Sequence, residues 1–173
     1  MNNHTLNTKK VALNGILGAL AVTCLVLATV MPVNRLSFYA LSSFFVAVVI
    51  VESGSRAGWI FYAATSLLSL MVVPEKLGIV PYVIFFGIYG IVKYYVEKLN
   101  KIIPEYAIKF VYFNVCVGVA LLTVSSLFGN SIVVKLPWGL VVIALEIIFF
   151  IYDFVYTLFI NYYRDKLRPR LRL

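Results

Sequence analysis

Six apolar runs dominate this chain, and each is about as long as a helix that crosses a lipid bilayer. Such a helix needs about 20 mostly apolar residues to span the hydrocarbon core. Proline, glycine or clustered charges separate the runs. The runs cover Val11–Met31, Leu36–Val51, Ala57–Val73, Gly78–Val96, Tyr106–Phe128 and Pro137–Tyr163. We therefore predict an all-α integral membrane protein with six transmembrane helices.

Composition excludes an ordinary water-soluble domain. Hydrophobic residues make up 62% of the 173 residues and charged residues 13%, whereas soluble domains average about 45–50% and 25%. We divide the chain into a polar leader (1–10), the six-helix domain (11–163) and a basic tail (164–173). The apolar core of the first run, about 21 residues, exceeds the 7–15 of a cleaved signal peptide, so we expect a retained helix.

The distribution of basic residues predicts the orientation of the helices. With six spans both termini lie on one side, and 12 of the 15 Lys and Arg residues fall on that side. The other side holds Arg35, Lys76 and Lys135. Because short loops rich in Lys and Arg stay in the cytoplasm, we predict cytoplasmic termini, in the plasma membrane of a bacterium.

The sequence lacks the residues that several classes of function require. The phosphate-loop pattern G-x-x-x-x-G-K-[ST] is absent, so any energy-driven activity requires a separate ATPase. The single histidine lies in the leader, and Cys24 and Cys116 lie inside apolar runs, where we expect buried thiols. We predict no metal site, no cofactor and no enzymatic activity. The formal charge of +8 indicates anionic membrane lipids rather than nucleic acid.

Two acids in the sixth run are the strongest candidate ligand contacts. Glu146 and Asp153 are seven residues apart and share one helix face, with Phe150 and Tyr156 beside them. This arrangement suits a cationic or hydrogen-bonding ligand. Alternatively, each acid is protonated or bonds a polar group of a neighbouring helix: Asn114 at the depth of Asp153, or Thr123 and nearby serines at the depth of Glu146.

Smaller signals lie in the first helix and the loops. Gly15, Ala19 and Thr23 form a small-residue stripe along which another helix, internal or from a partner, can approach closely. The predicted outer loops carry one cation each, among them Lys76, which either meets an anionic ligand group or stays solvated. At the hinge between the second and third runs, Glu52 and Arg56 are expected to pair with each other or with water.

The stretch Lys9–Ala21, a basic start followed by small residues at four-residue spacing, resembles the opening of the substrate-binding (S) components of energy-coupling factor transporters. The resemblance implies a vitamin or micronutrient site in the outer half of the protein, with Glu146 and the loop 74–78 in contact with the ligand. It also implies that the stripe on the first helix meets a coupling membrane subunit, and that shared ATPases supply the energy. The alternative is a non-transport membrane scaffold, as in rod-shape-determining proteins of the MreD type.

Overall fold

The computed structural model describes residues 3–128 and 138–171, and within them the regular structure is helical throughout. Six long helical segments follow the predicted runs. Five of them are long and apolar enough to cross a membrane; the third, α3, is the exception. The long helices are α1 (Asn3–Val30), α2 (Arg35–Ser53), α3 (Ser55–Val72), α4 (Gly87–Glu97), α5 (Ile102–Phe128) and α6 (Trp138–Tyr162).

The helices extend beyond the apolar runs at several ends. The fifth begins at Ile102 rather than Tyr106, and a π-helical turn (Tyr163–Leu167) joins α6 to a last short helix, α7 (Arg168–Leu171). The fourth segment is helical from Lys76, with a 3-10 turn (Lys76–Ile79) and a π-helical turn (Tyr82–Phe86) before α4. Hydropathy predicts which residues are apolar, but backbone hydrogen bonds carry a helix into the polar residues that follow.

Close packing joins α1, α2, α3 and the fourth segment. Half of the residues in the apolar windows of α2 and the fourth segment are buried, compared with 11% in α5 and 17% in α6. A core cluster around Val46, Val49 and Ile91 connects α2 to α4. The last two helices therefore lie at the edge of a tighter four-helix unit.

Polar contacts show which helix ends are neighbours. Arg35, at the start of α2, forms an ion pair with Glu75, just beyond α3, at 3.6 Å. The Tyr39 hydroxyl donates to the Gly78 carbonyl at 2.5 Å. These contacts place the α1–α2 and α3–α4 connections together at one end of the bundle, which we call the Arg35 end.

At the opposite end, Glu52 does not pair with Arg56 as the sequence suggested. Its carboxylate lies 3.4 Å from Arg168 and accepts a hydrogen bond from the Tyr163 hydroxyl at 3.3 Å. The spacing of Glu52 and Arg56 is helical, but Gly54 interrupts the helix between them with a φ of 87°. The turn directs the two side chains apart, and Glu52 is buried while Arg56 is exposed.

Candidate functional site: an apolar cavity and a buried ion network

An apolar cavity of about 790 Å³ lies between α2, the fourth segment, α5 and α6. Leu36 and Leu77 on its wall belong to the Arg35 end, and Tyr152 and Phe149 lie towards the middle of α6. Ligand sites typically measure 300–1,000 Å³ and are mostly apolar. By size and lining, the cavity is a candidate ligand site.

Aromatic side chains close the inner end of the cavity. Phe85 packs against Tyr89 and Tyr152 with ring centroids 5.3 and 5.7 Å apart, and the rings of Phe113 and Phe149 stack at 4.5 Å. Below them, Tyr156 is fully buried and donates to the Ser43 carbonyl at 3.0 Å. We call this group the aromatic layer: Phe85, Tyr89, Phe113, Phe149, Tyr152 and Tyr156. It separates the cavity from the other half of the bundle.

Beneath the aromatic layer lies an ion network of two lysines and three acids: Lys93, Glu97, Glu105, Lys109 and Asp153. The side chains of Lys93 and Lys109 are only 1% and 2% exposed. Asp153 lies between them. One of its oxygens accepts from Lys93 and from the Tyr89 hydroxyl, and the other is 3.2 Å from Lys109.

Each ammonium group in the ion network has three acceptors. Lys93 donates to Asp153, to Thr157 Oγ1 at 2.8 Å and to Glu97 at 2.7 Å. Lys109 donates to Glu97, Glu105 and Asp153. Because an ammonium group has three N–H bonds, both lysines are fully satisfied, which burial of a charge requires. The network therefore fixes α4, α5 and α6 to one another.

The predicted ligand contacts divide into two groups. Asp153 and Tyr156 are buried together, below the cavity. Glu146 and Asn114 form a second contact between α5 and α6, with Asn114 Nδ2 donating to Glu146 Oε1 at 2.8 Å. Phe150 is 46% exposed on the outer face of α6. Of the predicted ligand contacts, only the loop 74–78 contributes a described residue to the cavity wall, Leu77.

One of the predicted positions needs correction. Asn114 lies beside Glu146, not at the depth of Asp153, whose partner on α5 is Lys109. Because α5 begins four residues before its apolar run, the ends of the run do not give the depth of a residue along the helix. Lys93 and Lys109, counted among the basic residues of the cytoplasmic side, are buried partners of Asp153.

The loop cation Lys76 closes a helix end. Its ammonium group donates to the carbonyls of Leu70 and Val73, the latter at 3.0 Å, and so satisfies unpaired carbonyls at the end of α3. Lys135 and its loop lie outside the described residues. The two thiols are buried as predicted, and Cys116 lines the cavity.

The small-residue stripe on α1 faces outwards. Gly15, Ala19 and Thr23 are exposed, whereas Leu17, Ala21 and Leu25 point into the core. A Cβ atom added to Gly15 would meet no atom within 4 Å. The stripe is therefore not used for packing among the described helices.

Sequence reasoning missed the cavity and the lysines of the ion network. The cavity is lined by residues of four separate helical segments, and no local sequence pattern records such a meeting. The lysines did leave a signal: Lys93 lies inside an apolar run, four residues before Glu97, and Lys109 lies four residues after Glu105. Such spacing indicates pairs on one helix face. Comparison with models of known protein families, with curated proteins and with solved structures gave no match.

Proposed function

We propose that this chain is the membrane-embedded capture subunit of a transporter that takes up a vitamin-like small molecule and is energised by a separate ATPase module. In this proposal all six helices cross a bacterial plasma membrane, with both termini in the cytoplasm. The observation that carries the proposal is the cavity of about 790 Å³, which lies towards the Arg35 end. That end is the outer one when the basic residues of the opposite end and tail face the cytoplasm.

The arrangement below the cavity favours capture over free passage. The aromatic layer and the ion network fill the half of the bundle towards the α4–α5 connection. A molecule held in the cavity has no polar route past these groups, so release on the cytoplasmic side requires a rearrangement. A partner that hydrolyses ATP is one source of the necessary energy.

The outward stripe on α1 is the surface proposed for that partner. Small residues let helix backbones approach closely within a membrane, where van der Waals packing drives association. Gly15, Ala19 and Thr23 are exposed along α1, so a helix of a coupling subunit can lie against them without displacing a described contact.

Co-purification tests the proposal. The tagged chain is isolated from membranes of its own cells, and bound proteins and small molecules are identified by mass spectrometry. We expect a coupling membrane subunit, an ATP-hydrolysing pair and a small organic molecule. Gly15→Leu and Ala19→Leu should abolish recovery of the ATPases, because added bulk separates the helices.

Ala63→Leu is the matched control, because it adds the same bulk as Ala19→Leu but at an exposed position on α3. It should leave the recovery of the ATPases unchanged. Failure to recover any ATPase with the unmodified chain contradicts the proposal and favours a membrane scaffold. Equal recovery with all three variants would remove the stripe from the proposal.

A further inference from the structure

We propose that the cavity binds the hydrocarbon chain of a single-chain, fatty-acid-like amphiphile, which enters from the bilayer between α2 and α6. The inference rests on the proposed function in one respect, namely that the cavity is the capture site. It adds the chemical class of the substrate and its route.

The wall of the cavity offers almost nothing to a polar ligand. None of the described lining residues is charged, and only Ser37, Cys116 and Tyr152 carry a side-chain hydrogen-bonding group. Two of these groups already have partners within the protein. The Tyr152 hydroxyl is 2.7 Å from Ser43 Oγ, and Cys116 Sγ donates to the Ile84 carbonyl at 3.4 Å.

A ligand with several charged or hydroxyl groups would lose its hydration in the cavity and gain few hydrogen bonds in return. Aliphatic side chains such as Leu41 and Val117, and the aromatic rings at the inner end, instead offer dispersion contacts along the length of the wall. The chemistry of the wall therefore selects hydrocarbon.

Several wall residues are also on the outside of the protein. Leu41 on α2 and Ile148, Ile151 and Val155 on α6 line the cavity and yet are 42%, 51%, 59% and 43% exposed. All four lie within segments apolar enough to span a membrane. The cavity thus opens sideways, at the depth of the lipid chains.

The contacts between α2 and α6 explain why the opening is limited to the half of the bundle towards the Arg35 end. The rings of Phe44 and Phe159 stack at 4.6 Å, and Tyr156 donates to the Ser43 carbonyl. Both contacts lie on the inner side of the cavity, and they hold the helices together there. In the proposed route, a chain enters sideways on the other side of these contacts, with its head group at the Arg35 end.

The head group would lie near a cation. Arg35 immediately precedes Leu36 and Ser37 on the cavity wall, and its ion pair with Glu75 is long, at 3.6 Å. Its Nε atom is buried without a hydrogen-bond acceptor among the described residues. The Arg35 side chain as a whole is 41% exposed, so a carboxylate head group at this end can pair with its guanidinium group, which matches the anionic end of a fatty acid.

Photo-crosslinking tests the inference. The purified chain is placed in vesicles of phosphatidylcholine and phosphatidylglycerol with palmitic acid that carries a mid-chain diazirine, and labelled residues are mapped by mass spectrometry. We expect labels on inward wall residues such as Phe85 and Val117, and loss of these labels when unlabelled palmitic acid is added.

Three variants make the test specific. Ala120→Trp fills the cavity and Ile151→Trp obstructs its opening, so both should lose the wall labels. Ile147→Trp, at an exposed position on α6 that does not line the cavity, should keep them. Melting temperatures of all three verify folding.

The outcomes separate the two proposals. Labels confined to lipid-facing residues, and equal in all variants, overturn the hydrocarbon inference. A charged, water-soluble molecule that co-purifies in place of a fatty acid also overturns it but leaves the capture function intact. Wall labels in a chain that recovers no ATPase support chain binding and contradict the transport function.

Discussion

Asp153 shows how a buried acid can be identified correctly as unusual and yet be given the wrong neighbour. An acid in the middle of a helix costs about 2.5–3.5 kcal/mol on insertion scales, so it requires compensation. The sequence left open whether a ligand or a neighbouring helix supplies it. The structure provides two lysines and a tyrosine, and ligand contact by Asp153 stays a prediction.

Asp153→Leu should destabilise the protein by about 3–5 kcal/mol, the usual cost of leaving buried charges without their partner. Lys93 would lose one of its three acceptors and Lys109 would lose another. The double variant Asp153→Leu with Lys93→Met should recover much of the loss, because it removes the unpaired ammonium group with its partner. The melting temperatures of the single and double variants, measured in the same detergent, test both expectations. Asp165→Asn, which removes an acid at an exposed position, is the control. A single variant as stable as the unmodified chain would contradict the structural role of the network.

Glu146 differs from Asp153 because its environment is only partly satisfied. Oε1 accepts from Asn114, while Oε2 is buried without a partner among the described residues. Glu146→Gln keeps the shape and an acceptor for Asn114, so melting temperature should stay equal or rise. If the second oxygen serves the ligand, affinity for the co-purifying molecule should fall by about 1.5–3 kcal/mol. A lower melting temperature with unchanged affinity would make Glu146 a helix–helix contact only.

At the scale of elements, a glycine on α4 leaves room for a tyrosine hydroxyl of α6. A Cβ atom on Gly90 would overlap the Tyr156 hydroxyl, which the bond to the Ser43 carbonyl holds in place. Gly90→Ala should therefore displace Tyr156 and cost about 1–3 kcal/mol, the usual penalty for overpacking. On α5, a Cβ on Gly118 would meet nothing within 4 Å, so Gly118→Ala should be neutral or slightly stabilising. Equal melting temperatures for the two variants would contradict the predicted contact.

The bounds of the helices show how much of the fold the apolar runs can predict. The bounds of α2 and α3 agree with the apolar runs to within a few residues, because Gly54 and Pro74 end helices by local chemistry. The π-helical turn at Tyr82–Phe86 and the pairing of Asn114 with Glu146 were not predicted. Both depend on how a helix fits against its neighbours, and hydropathy carries no information on register.

At the scale of the whole molecule, packing is distributed unevenly. The unit of α1 to α4 is tightly packed, while α5 and α6 are attached mainly through the aromatic layer, the ion network and the contact of Glu146 with Asn114. These attachments lie on the inner side of the cavity or beside it. If the proposed capture function is correct, we expect the rearrangement that releases the ligand to move α5 and α6 relative to the unit of α1 to α4.

The transmembrane topology is the remaining prediction for the whole molecule, and α3 decides it. Although α3 is the one long helical segment of the six that is not apolar enough over its length to count as a membrane span, its end is tied to the start of α2 by Arg35 and Glu75. The polypeptide thus returns to the Arg35 end before the fourth segment begins.

If α3 crosses the membrane, reporter fusions at Asn100 and after Leu173 should be cytoplasmic, and a fusion at Lys76 should be external. If α3 does not cross, Lys76 would be cytoplasmic, whereas Asn100 and the carboxyl terminus would be external. An external carboxyl terminus would also place the basic tail outside, against the usual retention of Lys and Arg in the cytoplasm.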